Sequence, residues 1–198
     1  MLNPLYRYIE DYSSLMLTDE EKLLIQETFK VKRLRKKQYY LQEGDVSKYI
    51  GFITKGAMRM YSVDQKGHEH ILGFGLENWW MGDYESFSML TPSRYNIDAV
   101  EDSELLLITN TQMQELLDKV PAMAEMVKLL DRRRNIATQN RIHAAISLTA
   151  EERYRDLQET YPAFTQRFPQ NMIASYLGIS PETLSRIRKH SISSRKAS

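Results

Sequence analysis

Eight residues near the carboxyl end concentrate hydrogen-bonding chemistry. Ser180, Thr183 and Ser185 carry hydroxyls, Glu182 a carboxylate, Arg186 and Arg188 guanidiniums, and Lys189 an ammonium, with Pro181 among them. These groups suit recognition better than bond breaking. A guanidinium can bind guanine O6 and N7 together, and a carboxylate can accept from cytosine N4. Hydroxyls at the positive start of a helix suit phosphate oxygens. The set therefore reads as a double-stranded DNA contact: Ser180, Pro181, Glu182, Thr183, Ser185, Arg186, Arg188 and Lys189.

Two short helices must position them. Ile173, Ala174 and Leu177 give the first helix an apolar face, and the small Ala174 allows close approach. Gly178 follows where the backbone must leave the helix, because glycine accepts positive φ without steric cost. Ile179 plugs the turn, Ser180 caps the next helix, and Pro181 suits its first position. Leu184 and Ile187 then face inward, while Glu182, Ser185, Arg186 and Lys189 share another face. From Arg186 onward the chain holds Arg186, Arg188, Lys189, Arg195 and Lys196 and no acid. A structural alternative is an exposed helix merely supported by the Glu182–Arg186 pair, worth about 0.3–0.5 kcal/mol.

Composition narrows the class. The 198 residues leave room for one large and one small domain, and 42% hydrophobic content is enough for a real core. Net charge is only +1, so affinity for nucleic acid must come from clustered basic residues. No apolar run approaches the roughly 18 residues of a membrane span, and no charged-then-apolar leader opens the chain. No membrane association is expected, and the cytoplasm is the expected location. Zero cysteines exclude disulfides and thiolate metal sites.

Along the chain, Thr18-Asp19-Glu20-Glu21 is a capping-box pattern opening a helix. From about Val31 to Thr109 short β-rich runs alternate with turns: Tyr39–Gln42, Tyr49–Thr54, Ala57–Val63, Glu69–Leu76 and Leu105–Thr109. The turns fall at Gly44-Asp45, Lys55-Gly56, Gln65-Lys66-Gly67 and Glu77-Asn78. This spacing predicts an antiparallel roll or barrel. Thr111–Gln114 reads as a further cap. A long helix follows from Pro121 to about Ile146, with Met123, Met126, Val127, Leu130, Ala137 and Ile142 on a rough stripe. Such a helix seeks either a twofold copy of itself or the roll. Thr149–Glu152 is another capping box, which places a hinge at Ala145–Leu148. The expected domains are residues 1–146 and 147–198. Phe164–Phe168 is expected as a short hairpin wing, and the Ser191–Ser198 tail is expected to fray.

Read together, the chain resembles the transcription regulators named for the cyclic-AMP receptor protein and the fumarate–nitrate regulator. The resemblance is carried by Glu43-Gly44-Asp45, the Gly56 and Gly67 turns, Ala99–Leu106 and the terminal helix pair, in that order. It implies an α+β fold: an N-terminal antiparallel β-roll, a long dimerisation helix and a small C-terminal winged helix–turn–helix. It also implies a homodimer on DNA, a small-molecule effector of unknown identity, and RNA polymerase as a further partner. In such regulators the second helix reads the major groove. The matching positions here are Pro181, Glu182 and Arg186, with Ser180 and Thr183 at phosphates.

The roll departs from cyclic-nucleotide binders, which place Gly-Glu at the ribose and an Arg at the cyclic phosphate. Here the stretch reads Met81-Gly82-Asp83-Tyr84, and the arginine position falls on Ser93, with Arg94 one residue late. A phosphate lacking its guanidinium loses a charge-assisted bidentate contact, so cyclic-nucleotide control is the alternative rather than the expectation. Trp79, Trp80, Tyr84, Phe87 and Tyr95 crowd this region. Trp80, Gly82, Asp83, Tyr84, Arg94 and Tyr95 are the candidate effector pocket; the competing reading is a cavity already filled by these aromatics.

An enzyme is the main rival class. His68-Glu69-His70 has the alternation of a cupin-like metal strand, but the next acid, Glu77, is too distant. No Gly-x-Ser-x-Gly elbow, phosphate loop or cysteine supports nucleophilic chemistry. No cofactor and no catalytic residue is expected. A sensor domain acting on a protein partner would explain the roll but not the terminal helix pair.

Overall fold

The computed structural model describes residues 2–196, with side chains as far as His190. Two helices open the chain, α1 (Asn3–Ser13) and α2 (Asp19–Thr28). Pro4 sits in the first turn of α1, and Leu5 and Ile9, four residues apart, bury one face. Thr18 caps α2 reciprocally: its hydroxyl accepts from the Glu21 N–H at 3.2 Å, and Glu21 accepts from the Thr18 N–H at 2.8 Å.

Eight strands and one short helix follow. They are β1 (Lys30–Leu34), β2 (Tyr39–Leu41), β3 (Tyr49–Lys55), β4 (Met58–Val63), β5 (Glu69–Gly75), β6 (Trp80–Met81), α3 (Tyr84–Met89), β7 (Asn96–Ala99) and β8 (Ser103–Thr109). They form two four-stranded antiparallel sheets, ordered β1-β8-β3-β6 and β2-β7-β4-β5. The expected roll is present. Alternation along β8 decides what fills it: Leu105 and Leu107 join the core between the sheets with Ile53, Met58 and Ile97. Leu106 and Ile108 point the other way, into a cluster with α1, α2 and the start of the long helix. The expected turns hold, with φ of +89° at Gly44, +95° at Gly56, +82° at Gly67 and +67° at Asn78.

Beyond the roll every element is helical: α4 (Asn110–Lys119), α5 (Pro121–Ser147), α6 (Ala150–Thr160), α7 (Pro162–Arg167), α8 (Gln170–Leu177) and α9 (Pro181–Lys196). The cap of α4 is Thr109 with Gln112, not the expected Thr111 with Gln114, because β8 ends at Thr109 and its hydroxyl is already in place. The Thr149–Glu152 box opens α6 as expected. Of the expected hinge, Ala145–Ser147 remain helical and the chain breaks at Leu148, the C-cap of α5.

The hairpin wing expected at Phe164–Phe168 is instead helix α7 and its C-cap. Pro162 starts it, and Phe164 and Phe168, four residues apart, both turn inward onto Phe74. No strand occurs after Thr109 among the described residues. The stripe expected on α5 also divides. Met123 and Met126 are buried and Val127 and Leu130 pack beside them, whereas Ala137 and Ile142 are exposed. The backbone of α9 continues to Lys196; the side chains of Ser191–Ser198, where fraying was expected, lie outside the described residues.

Gly56 gives a direct test of the roll. A Cβ there would meet the Ser103 hydroxyl and lie 2.7 Å from the Asp102 carbonyl and 2.8 Å from Ser103 Cα, whereas at Gly67 it would meet nothing within 4 Å. Gly67→Ala should cost only the left-handed penalty of about 1–2 kcal/mol. Gly56→Ala should cost at least about 1 kcal/mol more through the backbone clash. Urea denaturation of both variants checks this, and equal losses would contradict the close approach.

Candidate nucleic-acid interface and effector region

The terminal helix pair is built by its own turn. The Gly178 N–H donates to Ser175 and the Ile179 N–H donates to Ala174, both at 3.0 Å, with Gly178 left-handed. This is the Schellman arrangement, which satisfies the last carbonyls of α8. The Ser180 hydroxyl then accepts from the Thr183 N–H at 3.2 Å, capping α9, whose first residue is Pro181. Leu184 and Ile187 are buried among Ile173, Ala174, Leu177 and Tyr154, so the inner face of α9 is anchored.

The outer face is open. Ser180, Pro181, Glu182, Ser185, Arg186, Arg188 and Lys189 are exposed and Thr183 is half-buried. At 3.6 residues per turn, Glu182, Ser185, Arg186 and Lys189 lie within about 60° of one direction, whereas Arg188 is turned some 120° from Glu182 toward the anchored side. Arg188 therefore flanks the face rather than belonging to it. The Ser180 and Thr183 hydroxyls lie 3.2 Å apart, and Arg186 Nη2 donates to Thr183 at 3.3 Å. The Glu182 carboxyl is held below its usual range by its own backbone N–H, the Ser180 hydroxyl and the Arg186 charge. At neutral pH it is an ionised acceptor beside a guanidinium donor. Arg195 and Lys196, part of the expected basic tail, have no described side chains.

The helix pair is docked on the roll. Strand β5 is the edge of its sheet, and α8 covers it: the Ser175 hydroxyl accepts from the Ile71 N–H at 2.9 Å and donates to the Glu69 carbonyl at 3.0 Å. Phe74 stacks on Phe168 with centroids 4.0 Å apart and meets Phe164 edge-on at 5.1 Å. Arg167 donates to Glu77 at 2.5 and 3.0 Å and to Glu101 at 3.0 and 2.6 Å. From α5, Arg141 donates to the Leu72 carbonyl and covers the Tyr176 ring. None of these partners is evident in the sequence, since Arg167 lies 66 and 90 residues from its two acids.

The six residues expected to form an effector pocket are each engaged by other groups of the chain. Trp80 is part of the core, 5.4 Å from Phe52 and 6.2 Å from Phe29 between ring centroids. Gly82 lies against Ile50, where a Cβ would come within 3.1 Å. Buried Asp83 caps α3 through the Glu85 and Ser86 N–H groups and accepts from the Ser93 hydroxyl at 2.7 Å. Tyr84 lies under the Arg134 guanidinium of α5 at 3.9 Å. Arg94 is exposed and paired with Glu85 at 2.9 Å, and the Tyr95 N–H donates to Ser93. Ser93, where the resemblance expects an arginine, is thus bonded to Asp83, and Arg94 is turned to solvent.

His68 and His70 both face Asp64, at 3.2 and 3.1 Å. Among the described residues no three His, Cys, Asp or Glu side chains are arranged to hold a metal ion. No helix among them is long and apolar enough to cross a membrane.

Comparison with known proteins agrees with this architecture. Residues 31–120 match the family described as Cyclic nucleotide-binding domain. The chain is 26% identical over 169 residues to Regulatory protein HlyX of Actinobacillus pleuropneumoniae, covering 79% of this chain and 69% of the relative. It is 25% identical over 189 residues to Transcriptional activator protein anr of Pseudomonas aeruginosa, covering 87% and 75%. Among solved structures, FixK2 from Bradyrhizobium japonicum superposes with a TM-score of 0.66 at 18% identity, covering 82% of this chain and 84% of that one. The c-di-GMP responsive global regulator CLP of Xanthomonas campestris superposes with a TM-score of 0.68 at 14% identity, covering 89% and 93%.

The docking network predicts an acid dependence. Burial alone would raise the Glu77 carboxyl, but bonds from Arg167, from its own N–H and from the Gly56 N–H hold it below the usual range. A depressed carboxyl stabilises the fold above its unfolded value and loses that contribution as pH falls through the folded value. The stability gap between the parent chain and Glu77→Gln should therefore be present at pH 7 and narrow below about pH 4. Denaturant titrations across that range check it; a constant gap would show that Glu77 is held by something other than its charge.

Proposed function

We propose that this chain, a relative of the Crp/Fnr-type transcription regulators, binds DNA in a sequence-specific manner as a homodimer and carries no catalytic step. The observation that carries the reading is α9 itself. It is anchored by Leu184 and Ile187 and presents Glu182, Ser185, Arg186 and Lys189 outward on one face. A carboxylate and a guanidinium fixed side by side on a rigid helix suit base edges in the major groove. Ser180 and Thr183 lie at the helix start, where phosphate oxygens are favoured.

The dimer reading rests on α5. Its stretch from Asp131 to His143 is exposed at every residue, and Ile136, Ile142 and Ile146 are 55%, 55% and 79% exposed. Most of that stretch is polar, but three isoleucines left open on one helix would be covered by a second copy lying along it. Twofold pairing there would set two copies of α9 about 34 Å apart, one turn of duplex. In this reading residues 1–146 form the roll with its dimer helix and residues 147–198 the DNA-binding unit. The Asp83–Ser93 closure and the outward Arg94 favour an effector other than a cyclic nucleotide.

Selection of bound duplexes from a random pool tests the reading, and a twofold-repeated motif is the expected product. Arg186→Ala should weaken binding to the selected site by roughly 1–3 kcal/mol and relax preference at one base pair. Equal losses on selected and random duplexes would reduce Arg186 to a phosphate contact. Lys189→Ala should weaken all sequences alike and lower the salt slope by about one; an unchanged slope would remove Lys189 from the phosphate contacts.

A further inference from the structure

A cleft of about 820 Å³ separates the C-terminal half of α5 from β5 and is bounded beyond by α6, α7 and α8. It shares no residue with Trp80, Gly82, Asp83, Tyr84, Arg94 or Tyr95. We propose that this cleft binds a small amphipathic anion, a molecule with an apolar body and one carboxylate, sulfonate or phosphate group.

The size lies within the range of about 300–1,000 Å³ typical of small-molecule sites. One wall is aromatic. The Trp79 indole, 36% exposed, meets Tyr161 edge-on at 5.5 Å, and Tyr161 stacks on Phe164 at 4.9 Å. An indole left this open beside two further rings is a surface for an apolar body to cover. The charge is one-sided: four arginines line the cleft, among them Arg141 and Arg153, against one carboxylate, Asp156.

Arg153 supplies an independent sign. Its Nη1 donates to the Leu148 carbonyl at 2.9 Å, which fixes the guanidinium at the end of α5. Its Nε is buried and has no hydrogen-bond partner. Buried donors are almost always satisfied, and an orphaned one is destabilising. The Arg153 guanidinium lines the cleft, where an anionic oxygen would meet it with a charge-assisted bond, and a small shift of the side chain would bring Nε to the same oxygen.

The walls come from two bodies, α5 on one side and α6–α8 on the other, so an occupant bridges them and fixes the C-terminal unit against the long helix. That regulatory consequence rests on the DNA-binding reading above; the binding itself does not.

The test is fluorescence titration of the full chain with 8-anilinonaphthalene-1-sulfonate, an aromatic body bearing one anionic group. Saturable binding of one probe per chain is expected, displaced by decanoate and at least tenfold less effectively by decanol. Ala137→Trp, which fills the cleft from an exposed position on α5, should weaken probe binding at least tenfold. Arg153→Met should do the same and abolish the preference for decanoate, with circular dichroism confirming that both variants fold. Unchanged binding in both variants would overturn the proposal. So would affinity that falls as protein concentration rises, which would mean that a second copy occupies the cleft. The readout contains no DNA, so failure of the DNA-binding reading leaves it interpretable.

Discussion

An edge strand must be covered, and in this protein the way β5 is covered sets the position of everything beyond the roll. An open edge presents unpaired N–H and carbonyl groups that invite another strand. Here those groups are taken by side chains from two helices. Ser175 of α8 answers Ile71 and Glu69, while Arg141 of α5 answers the carbonyl of Leu72. The same short strand therefore ties down both the long helix and the terminal helix pair. Its other side is fixed as well. Arg59 on neighbouring β4 holds Asp98 of β7 through two bonds of 2.8 and 2.9 Å and also pairs with Glu69 of β5. A displacement of β5 would move α8 with it, and α9 follows α8 through a turn closed by hydrogen bonds at both ends.

The aromatic and ionic parts of this docking do different work. Phe74, Phe164 and Phe168 are nearly inaccessible to solvent, so their burial supplies most of the attraction, at roughly 1.5–3 kcal/mol for each fully buried side chain. Arg167 is 28% exposed and its two acids 36% and 37%. Ion pairs this open to water contribute little net stability. What they contribute is geometry, since a planar guanidinium shared between two carboxylates admits few orientations of α7. The attraction is thus non-directional and the registry ionic.

Legibility in the sequence followed the range of the interactions. Gly178, Ser180 and Pro181 act on groups one to four residues away, so the turn and the start of α9 could be read directly. The boxes at Thr18 and Thr149 are equally local. The α4 cap shows the limit, because Thr109–Gln112 and Thr111–Gln114 have the same spacing and only the end of β8 selects between them. Phe164–Phe168 is more instructive. Residues two and four apart suit either a hairpin or a helical turn, and the choice was made by Phe74, ninety residues earlier in the chain. The effector region shows the same limit. Six residues from two stretches, 80–84 and 94–95, were expected to share a pocket, yet strand β6 turns Trp80 onto Phe52 and Phe29 while Asp83 turns back to cap its own helix. Neither direction is written in spacing.

Helix α5 connects these observations. Its 27 residues rise about 40 Å, and its two ends live in different environments. Ala122, Met123 and Met126 are sunk between the roll and α1, so the N-terminal half is part of the core they share. Beyond Leu130 the helix leaves the core, and only long side chains reach back: Arg133 lies over Tyr12 and Arg134 over Tyr84. Tyr84 belongs to α3, the element that Asp83 and Ser93 hold closed. A change at α3 would therefore be felt by α5 through a cation–π contact rather than through backbone, an attraction worth about 0.5–2 kcal/mol. That is small beside the burial that anchors the first half of the helix. Helix α5 is thus clamped in the core at its start, touched through two rings in its middle, and held near its end where Arg141 meets the Leu72 carbonyl and the Tyr176 ring.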